Sequence, residues 1–277
     1  MEADMNPERY APIGVFDSGL GGLTVVREIM RNLPDERIVY FGDTARVPYG
    51  NKSKETVIRY ARQIVSFLKT QNVKAIVVAC NTASALALDT IRPEIDLPII
   101  GVVRPGTEMA LKATHNKRIG VIATDSTIRS NLYQTLLREH DKEVRVFAQA
   151  CPLFVPLVEE GWTKDPVTRT VAERYLADIL EQNIDTLIMG CTHYPLLRTL
   201  LREVAGASVQ LINPAYETAL ALRRLLDDHG LLNDGRHQVT PQYDFYASDT
   251  VEKFNAFANS ILPYEIGSTT QVQIEKY

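Results

Sequence analysis

The segment 185–197, Asp-Thr-Leu-Ile-Met-Gly-Cys-Thr-His-Tyr-Pro-Leu-Leu, constrains the fold more than any other stretch of the chain. Residues 186–189 are apolar or β-favouring and make a short buried strand. Gly190 lets the backbone turn, Cys191 stands where the strand stops, and His193 follows two residues later. Pro195 suits the first turn of a helix. In an open α/β sheet, ligands bind outside the carboxyl ends of the strands, so Cys191 is placed where chemistry happens. A second copy lies upstream: Ala75-Ile-Val-Val-Ala-Cys80-Asn81-Thr82. Two cysteines at two equivalent strand ends suggest two like groups facing one substrate.

The rest of the chain alternates strands and helices in the same way. A strand over 13–16 ends at Asp17, and Ser18-Gly-Leu-Gly-Gly22 makes a glycine-rich turn before a helix over 23–32. That turn reads either as a tight connection or as a cradle of N–H groups for an anion. It is not a P-loop, since no Gly-Lys-Ser/Thr follows, and Thr24 spoils a dinucleotide fingerprint. A strand over 37–41 leads to Gly42-Asp43-Thr44 and to the turn Pro48-Tyr49-Gly50, at the same sheet edge as Asp17. Ser53 caps a helix with an apolar face at Val57, Ala61, Ile64, Val65 and Leu68. After Cys80 come a helix over 83–91 and a strand over 98–103, with a crossing point at 104–106. The pattern then starts afresh with a strand over 118–123. Ile13-Gly-Val and Ile119-Gly-Val lie 106 residues apart, and Cys80 and Cys191 lie 111 apart. These near-equal offsets point to two similar α/β units. The second continues with a helix over 127–140, a strand over 144–149, a helix over 166–183 and the Cys191 strand. A strand over 209–212, a helix over 215–229 and a loop over 231–242 follow. A strand over 244–247, a helix over 250–261 and a last strand over 271–274 complete the reading.

Several function classes drop out on composition. With 277 residues, two domains are expected. The net charge of −4 gives no basic excess for nucleic acid. No apolar run reaches the ~18 residues of a membrane span. Residues 1–10 are polar and acidic, unlike a secretory signal. Three cysteines, an odd count, argue against a disulfide framework and for a reducing, cytoplasmic location. Cys151, followed by Pro152, reads as a small buried hydrophobe. Zinc needs three or four ligands; Cys191 and His193 supply two, and no Cys-x-x-Cys exists. A Cys–His hydrolase leaves the matched second cysteine unexplained. Two equivalent acid/base groups on opposite faces of one carbon describe a racemase or epimerase. One thiolate removes the Cα proton and the opposing thiol delivers another. Asp17 or His193 stands ready to steady the proton on a thiol.

Asp17-Ser-Gly-Leu-Gly-Gly22, Gly42-Asp-Thr44 with Pro48-Tyr-Gly50, Cys80-Asn-Thr-Ala-Ser84, Pro156-Leu-Val-Glu-Glu-Gly161 and Gly190-Cys-Thr-His-Tyr-Pro195 together resemble the bacterial glutamate racemase family. The likeness runs from about residue 12 to 274. It implies two similar α/β domains with mostly parallel sheets and an active site in the cleft between them. The expected boundaries are 1–100 with 212–277 for the first domain and 101–211 for the second. It implies no cofactor, neither pyridoxal phosphate nor metal. Cys80 and Cys191 become the acid/base thiols, with Asp17 beside the first and Glu159 and His193 beside the second. Asp17, Ser18, Tyr49, Gly50, Asn81, Thr82, Thr192 and His193 match the residues that hold glutamate. The implied activity is interconversion of L- and D-glutamate, supplying D-glutamate for peptidoglycan, in a homodimer. Aspartate racemases share the two-cysteine plan, but their second motif resembles Gly-Cys-Thr-Glu, so His193 favours glutamate. An aspartate or other amino-acid racemase is the alternative within the class. A non-catalytic binding protein using the 19–22 loop is the alternative outside it.

Overall fold

The computed structural model describes residues 7–233, 235 and 242–277. The elements in order are β1 (Ile13–Asp17), α1 (Leu23–Asn32), β2 (Ile38–Gly42), α2 (Lys54–Thr70), β3 (Ala75–Val78), α3 (Asn81–Leu86), α4 (Leu88–Ile91) and β4 (Ile99–Gly101). Next come α5 (Val103–Ala113), β5 (Arg118–Ala123), α6 (Asp125–Arg129), α7 (Leu132–His140), β6 (Arg145–Ala150), α8 (Phe154–Glu159), α9 (Pro166–Leu180) and β7 (Thr186–Gly190). The chain closes with α10 (Arg198–Ala205), β8 (Gln210–Ile212), α11 (Pro214–Asp228), β9 (Tyr243–Ala247), α12 (Val251–Ile261) and β10 (Thr269–Gln271).

Two sheets form, of order β10-β9-β2-β1-β3-β4 and β6-β5-β7-β8. Every strand pair among the described residues is parallel. The order β2-β1-β3-β4 in the first sheet recurs as β6-β5-β7-β8 in the second, as the repeated Ile-Gly-Val and Cys motifs lead one to expect. Strand residues alternate between two cores. Val15 joins the cluster under α1, α11 and α12, and its neighbour Phe16 joins the one under α2. In the second sheet Ile122 packs with α8 to α10 and Val121 with α5 and α7. Both faces of each sheet are thus covered, which is why the strands read as continuous apolar runs.

Local chemistry moves several boundaries away from the sequence reading. The expected helix over 83–91 begins two residues earlier, at Asn81, and breaks at Ala87, giving α3 and α4. The expected helix over 127–140 is two helices, because Asn131 takes a left-handed turn (φ 57°) that asparagine tolerates. The helix over 166–183 stops at Leu180, and Asn183 is again left-handed. Residues 104–106 are helical, not a crossing loop. Pro105 lies in the first turn of α5, where no N–H is required of it. The chain does change sheets here, since β4 belongs to the first and β5 to the second. A Cβ on Gly106 would stand 3.0 Å from Pro214, so glycine lets α5 approach α11. The last strand is Thr269–Gln271, and Ile274–Lys276 is a 3-10 turn. The expected loop over 231–242 lies partly outside the described residues, as do residues 1–6.

Candidate active site

Parallel strands expose their carboxyl ends together, and here four of them converge. Asp17 ends β1, Cys80 lies two residues beyond β3, Thr124 follows β5 and Cys191 follows β7. A cavity of about 490 Å³ lies between them. Cys80 and Cys191, one from each sheet, both line it, and both are nearly buried, at 5% and 6% exposure. Ser18, Tyr49, Gly50, Asn81, Thr82, Glu159, Thr192 and His193 also line it. Asp17 is fully buried and does not.

Polar ties between the units ring this cavity. Thr82 Oγ1 lies 2.9 Å from Thr124 Oγ1 and 3.1 Å from Thr127 Oγ1. The Tyr133 hydroxyl donates to Asn81 Oδ1 at 2.7 Å, which leaves the Asn81 NH₂ group as a donor. Ser126 Oγ donates to the Gly50 carbonyl at 2.8 Å, and Thr24 Oγ1 to the Thr192 carbonyl at 2.9 Å. At Gly21 a Cβ would stand 2.3 Å from Thr192 Oγ1 and 2.5 Å from His193 Nδ1. Only glycine lets the first loop close over the second unit there.

The Cys80 side is acidic and buried. Cys80 caps α3, its sulfur accepting the Ala83 N–H at 3.4 Å, and its thiol reaches Ser18 Oγ at 3.6 Å. A helix N-terminus favours thiolate. Burial, followed by the neighbouring Asp17 carboxylate, outweighs it and pushes the Cys80 thiol up to about 12. Burial also raises the pKa of Asp17, against the pull of His193 and of the Gly22, Gly19 and Ser18 N–H groups. One carboxylate oxygen accepts the Gly19 N–H at 3.0 Å; the other is buried with no partner.

The Cys191 side is built differently. Its sulfur lies 3.8 Å from His193 Nδ1, and His193 Nε2 lies 3.2 Å from Glu159 Oε1. Glu159 comes from the last turn of α8. Burial works against a charged imidazole, yet the hydrogen bonds to Cys191 and Glu159 win and lift His193 to about 10. Burial opposes the Glu159 charge too, but His193 and Lys253 prevail and lower its pKa. Near neutral pH the imidazole is therefore an imidazolium held between a carboxylate and a sulfur.

Tyr49 lines the cavity without offering it a free hydroxyl. Its hydroxyl is turned away onto Asp43, which also accepts Arg46 Nε at 2.7 Å and Ser248 Oγ at 2.9 Å. Thr124, Lys253 and the Tyr133 that holds Asn81 were missed by the sequence reading. Thr124 could have been found, because the offset of 106 that carries Ile13 onto Ile119 carries Ser18 onto Thr124. Lys253, from α12, donates to Glu159 Oε2 at 3.0 Å. No motif marked it. Among the described residues no group of three or more His, Cys, Asp or Glu side chains is placed to hold a metal ion. No described helix is long and apolar enough to cross a membrane.

Paired thiols at matching strand ends of two sheets define a class. Residues 13–222 match the family model described as Asp/Glu/Hydantoin racemase, so the chain belongs to that family. Within it the chain stands with glutamate racemases. It is 46% identical to the glutamate racemase of Geobacter metallireducens, over 96% of this chain and 98% of the relative. A crystal structure of a glutamate racemase isoform from Bacillus anthracis superposes with a TM-score of 0.91 at 40% identity, over 96% of this chain and 98% of that one. One from Francisella tularensis in complex with D-glutamate gives 0.90 at 39% identity, over 97% and 100%.

Proposed function

We propose that this chain interconverts L- and D-glutamate without a cofactor, by proton transfer between Cys80 and Cys191, and supplies D-glutamate for peptidoglycan. The observation that carries the reading is that one thiol from each sheet opens into the same cavity. The two carboxylates of glutamate would meet hydroxyls and N–H groups, not an arginine. Ser18, Thr82, Thr124 and Thr192 offer hydroxyls and Asn81 its amide. The N–H groups that open the 3-10 turn at Tyr49–Asn51 have no partner within that turn.

The two arms differ in the charged group that stands beside the thiol. Cys80, held up at about 12, is a thiol at neutral pH and can donate. The His193 imidazolium beside Cys191 steadies negative charge on that sulfur. L-glutamate would therefore lose its α-proton to Cys191 and receive one from Cys80. Asp17, next to Cys80 with an unpartnered oxygen, supports the reverse step. The domain division at about residues 100 and 212 belongs to the same reading, with the cleft between the two units as the working site.

The direct test is the optical rotation of L-glutamate incubated with purified protein and no added cofactor, run beside L-aspartate. Rotation of glutamate should decay to zero, and prior dialysis against a chelator should change nothing. Racemisation of aspartate alone would move the assignment to the sister activity. Ligand binding with no racemisation of either acid would end it.

A further inference from the structure

Glu159 is gripped from both sides, and the grip crosses between the units. Its Oε1 meets His193 Nε2 at 3.2 Å, while its Oε2 accepts Lys253 Nζ at 3.0 Å. Lys253 stands in the first turn of α12, a helix rooted in the six-stranded unit. Phe254 and Ala258 are fully buried there, and the Phe254 ring lies 5.8 Å from Tyr40 and 6.2 Å from Phe245. Lys253 and Phe257, four residues apart, share a neighbouring face of the helix. The Phe257 ring lies 6.4 Å from the His193 ring and packs against the core of the four-stranded unit. One helix of the first unit thus touches both members of the Glu159–His193 pair of the second.

We propose that Lys253 is a positioning residue for the Cys191 arm: its ammonium pins the Glu159 carboxylate so that the other oxygen stays on His193. This rests on the reading of Cys191 with His193 as one of the two acid/base arms. Lys253 touches neither the cavity nor the thiol. The charged and titratable groups facing His193 are Cys191, Glu159 and, across the cleft, Asp17, with Lys253 behind Glu159. Without the ammonium, the Glu159 side chain, 21% exposed, is free to turn toward water. Its hold on His193 weakens, and with it the steadying of charge on Cys191. Asp17 of the Cys80 arm couples to His193 only through space, as the smallest of the influences on the imidazole and with no hydrogen bond to it, so the Cys80 arm feels the change less. Lys253 is itself 51% exposed, so solvent screens the pair and the effect is modest.

The readout follows from symmetry. Enantiomers have equal free energies in water, so kcat/KM must be equal in the two directions whatever the variant. A change in one arm shows as a changed ratio of the forward and reverse kcat values, with the KM values moving in step. Lys253→Met should shift that ratio by about two- to five-fold against the L-to-D direction, and Lys253→Arg should restore it. A merely structural role lowers both kcat values equally and leaves each KM in place. An unchanged kcat ratio in Lys253→Met, or an equal shift in Lys253→Arg, overturns the assignment. If Cys191→Ser retains full activity, the acid/base reading fails first and carries this one with it. If Cys191→Ser is inactive and the Lys253→Met ratio is unchanged, the Lys253 role alone is refuted.

Discussion

Asp43 and Cys151 occupy the same place in the two sheets. The Asp43 N–H donates to the Asp17 carbonyl at 3.1 Å, and the Cys151 N–H donates to the Ala123 carbonyl at 2.8 Å, each one residue past the end of its strand. At the first position a buried carboxylate gathers Tyr49, Arg46 and Ser248 and fixes the loop at the cavity's rim. At the second, a thiol raised in pKa by burial reaches only the Gln149 carbonyl, at 3.7 Å, and does not line the cavity. Position in the repeat, and not residue type, separates Cys151 from its two sister cysteines.

Cys151→Ser should therefore leave turnover within about threefold of wild type and cost on the order of 1 kcal/mol of stability. Cys80→Ser and Cys191→Ser should each lower kcat by orders of magnitude, since a hydroxyl is a far weaker acid than a thiol of reference pKa about 8.5. The double variant should be little worse than either single one, because in the proposed mechanism the two act as a unit. Circular dichroism of the product mixture measures all four. Full activity in either single variant refutes the two-thiol mechanism.

Isotope labelling separates two bases from one. In D₂O, starting from L-glutamate, the first D-glutamate should carry α-deuterium while the remaining L-glutamate stays protiated. The donor thiol on the far face has already exchanged with solvent. A single base would return part of the hydrogen it took. Retention of α-protium in early product, read by mass spectrometry, would count against opposed thiols.

The partners of the thiols should act by direction. Asp17→Asn should depress kcat more from D to L, and His193→Asn more from L to D, with the equilibrium constant fixed near one. Equal losses in both directions would reject the pairing of partners while leaving the thiols in place.

His193 also makes stability depend on pH in a defined sense. Its pKa is raised from 6.5 to about 10 in the folded chain. Its contribution is then fully present below pH 6.5 and is lost as pH rises through about 10. The melting-temperature advantage of wild type over His193→Asn should be largest near pH 6 and shrink steadily toward pH 10. A gap that widens with pH would mean the imidazole is held neutral.

The parts of this molecule written in local sequence were legible. Apolar runs of four to six residues gave the strands, and the doubled Ile-Gly-Val and Cys motifs gave two like units. Boundaries slipped where a single backbone residue decides. Asn131 and Asn183 take left-handed φ, a property asparagine permits but does not announce. Thr269 to Gln271 form the last strand because β9 lies beside them, a partner 24 residues away. At the site, residues on strand ends were readable because strand ends are. The tyrosine that orients Asn81 and the lysine that grips Glu159 sit inside ordinary helices, at positions that no motif spacing marks.

Strands β9 and β10 with α12 have no counterpart in the four-stranded unit. They lie at one edge of the first sheet, and yet they reach the cleft twice, through Ser248 on Asp43 and Lys253 on Glu159. A repeated scaffold alone would present nearly the same surroundings to both hands of a substrate. The unlike neighbours of the two thiols already break that equivalence, and this appended β-α-β piece widens the difference on the Cys191 side. For the proposed reaction, the bound L and D forms then differ in free energy although they are equal in water. The protein can therefore be half-saturated by one enantiomer well before the other, and an inhibitor of one configuration can exclude its mirror image, without any bias in the final mixture.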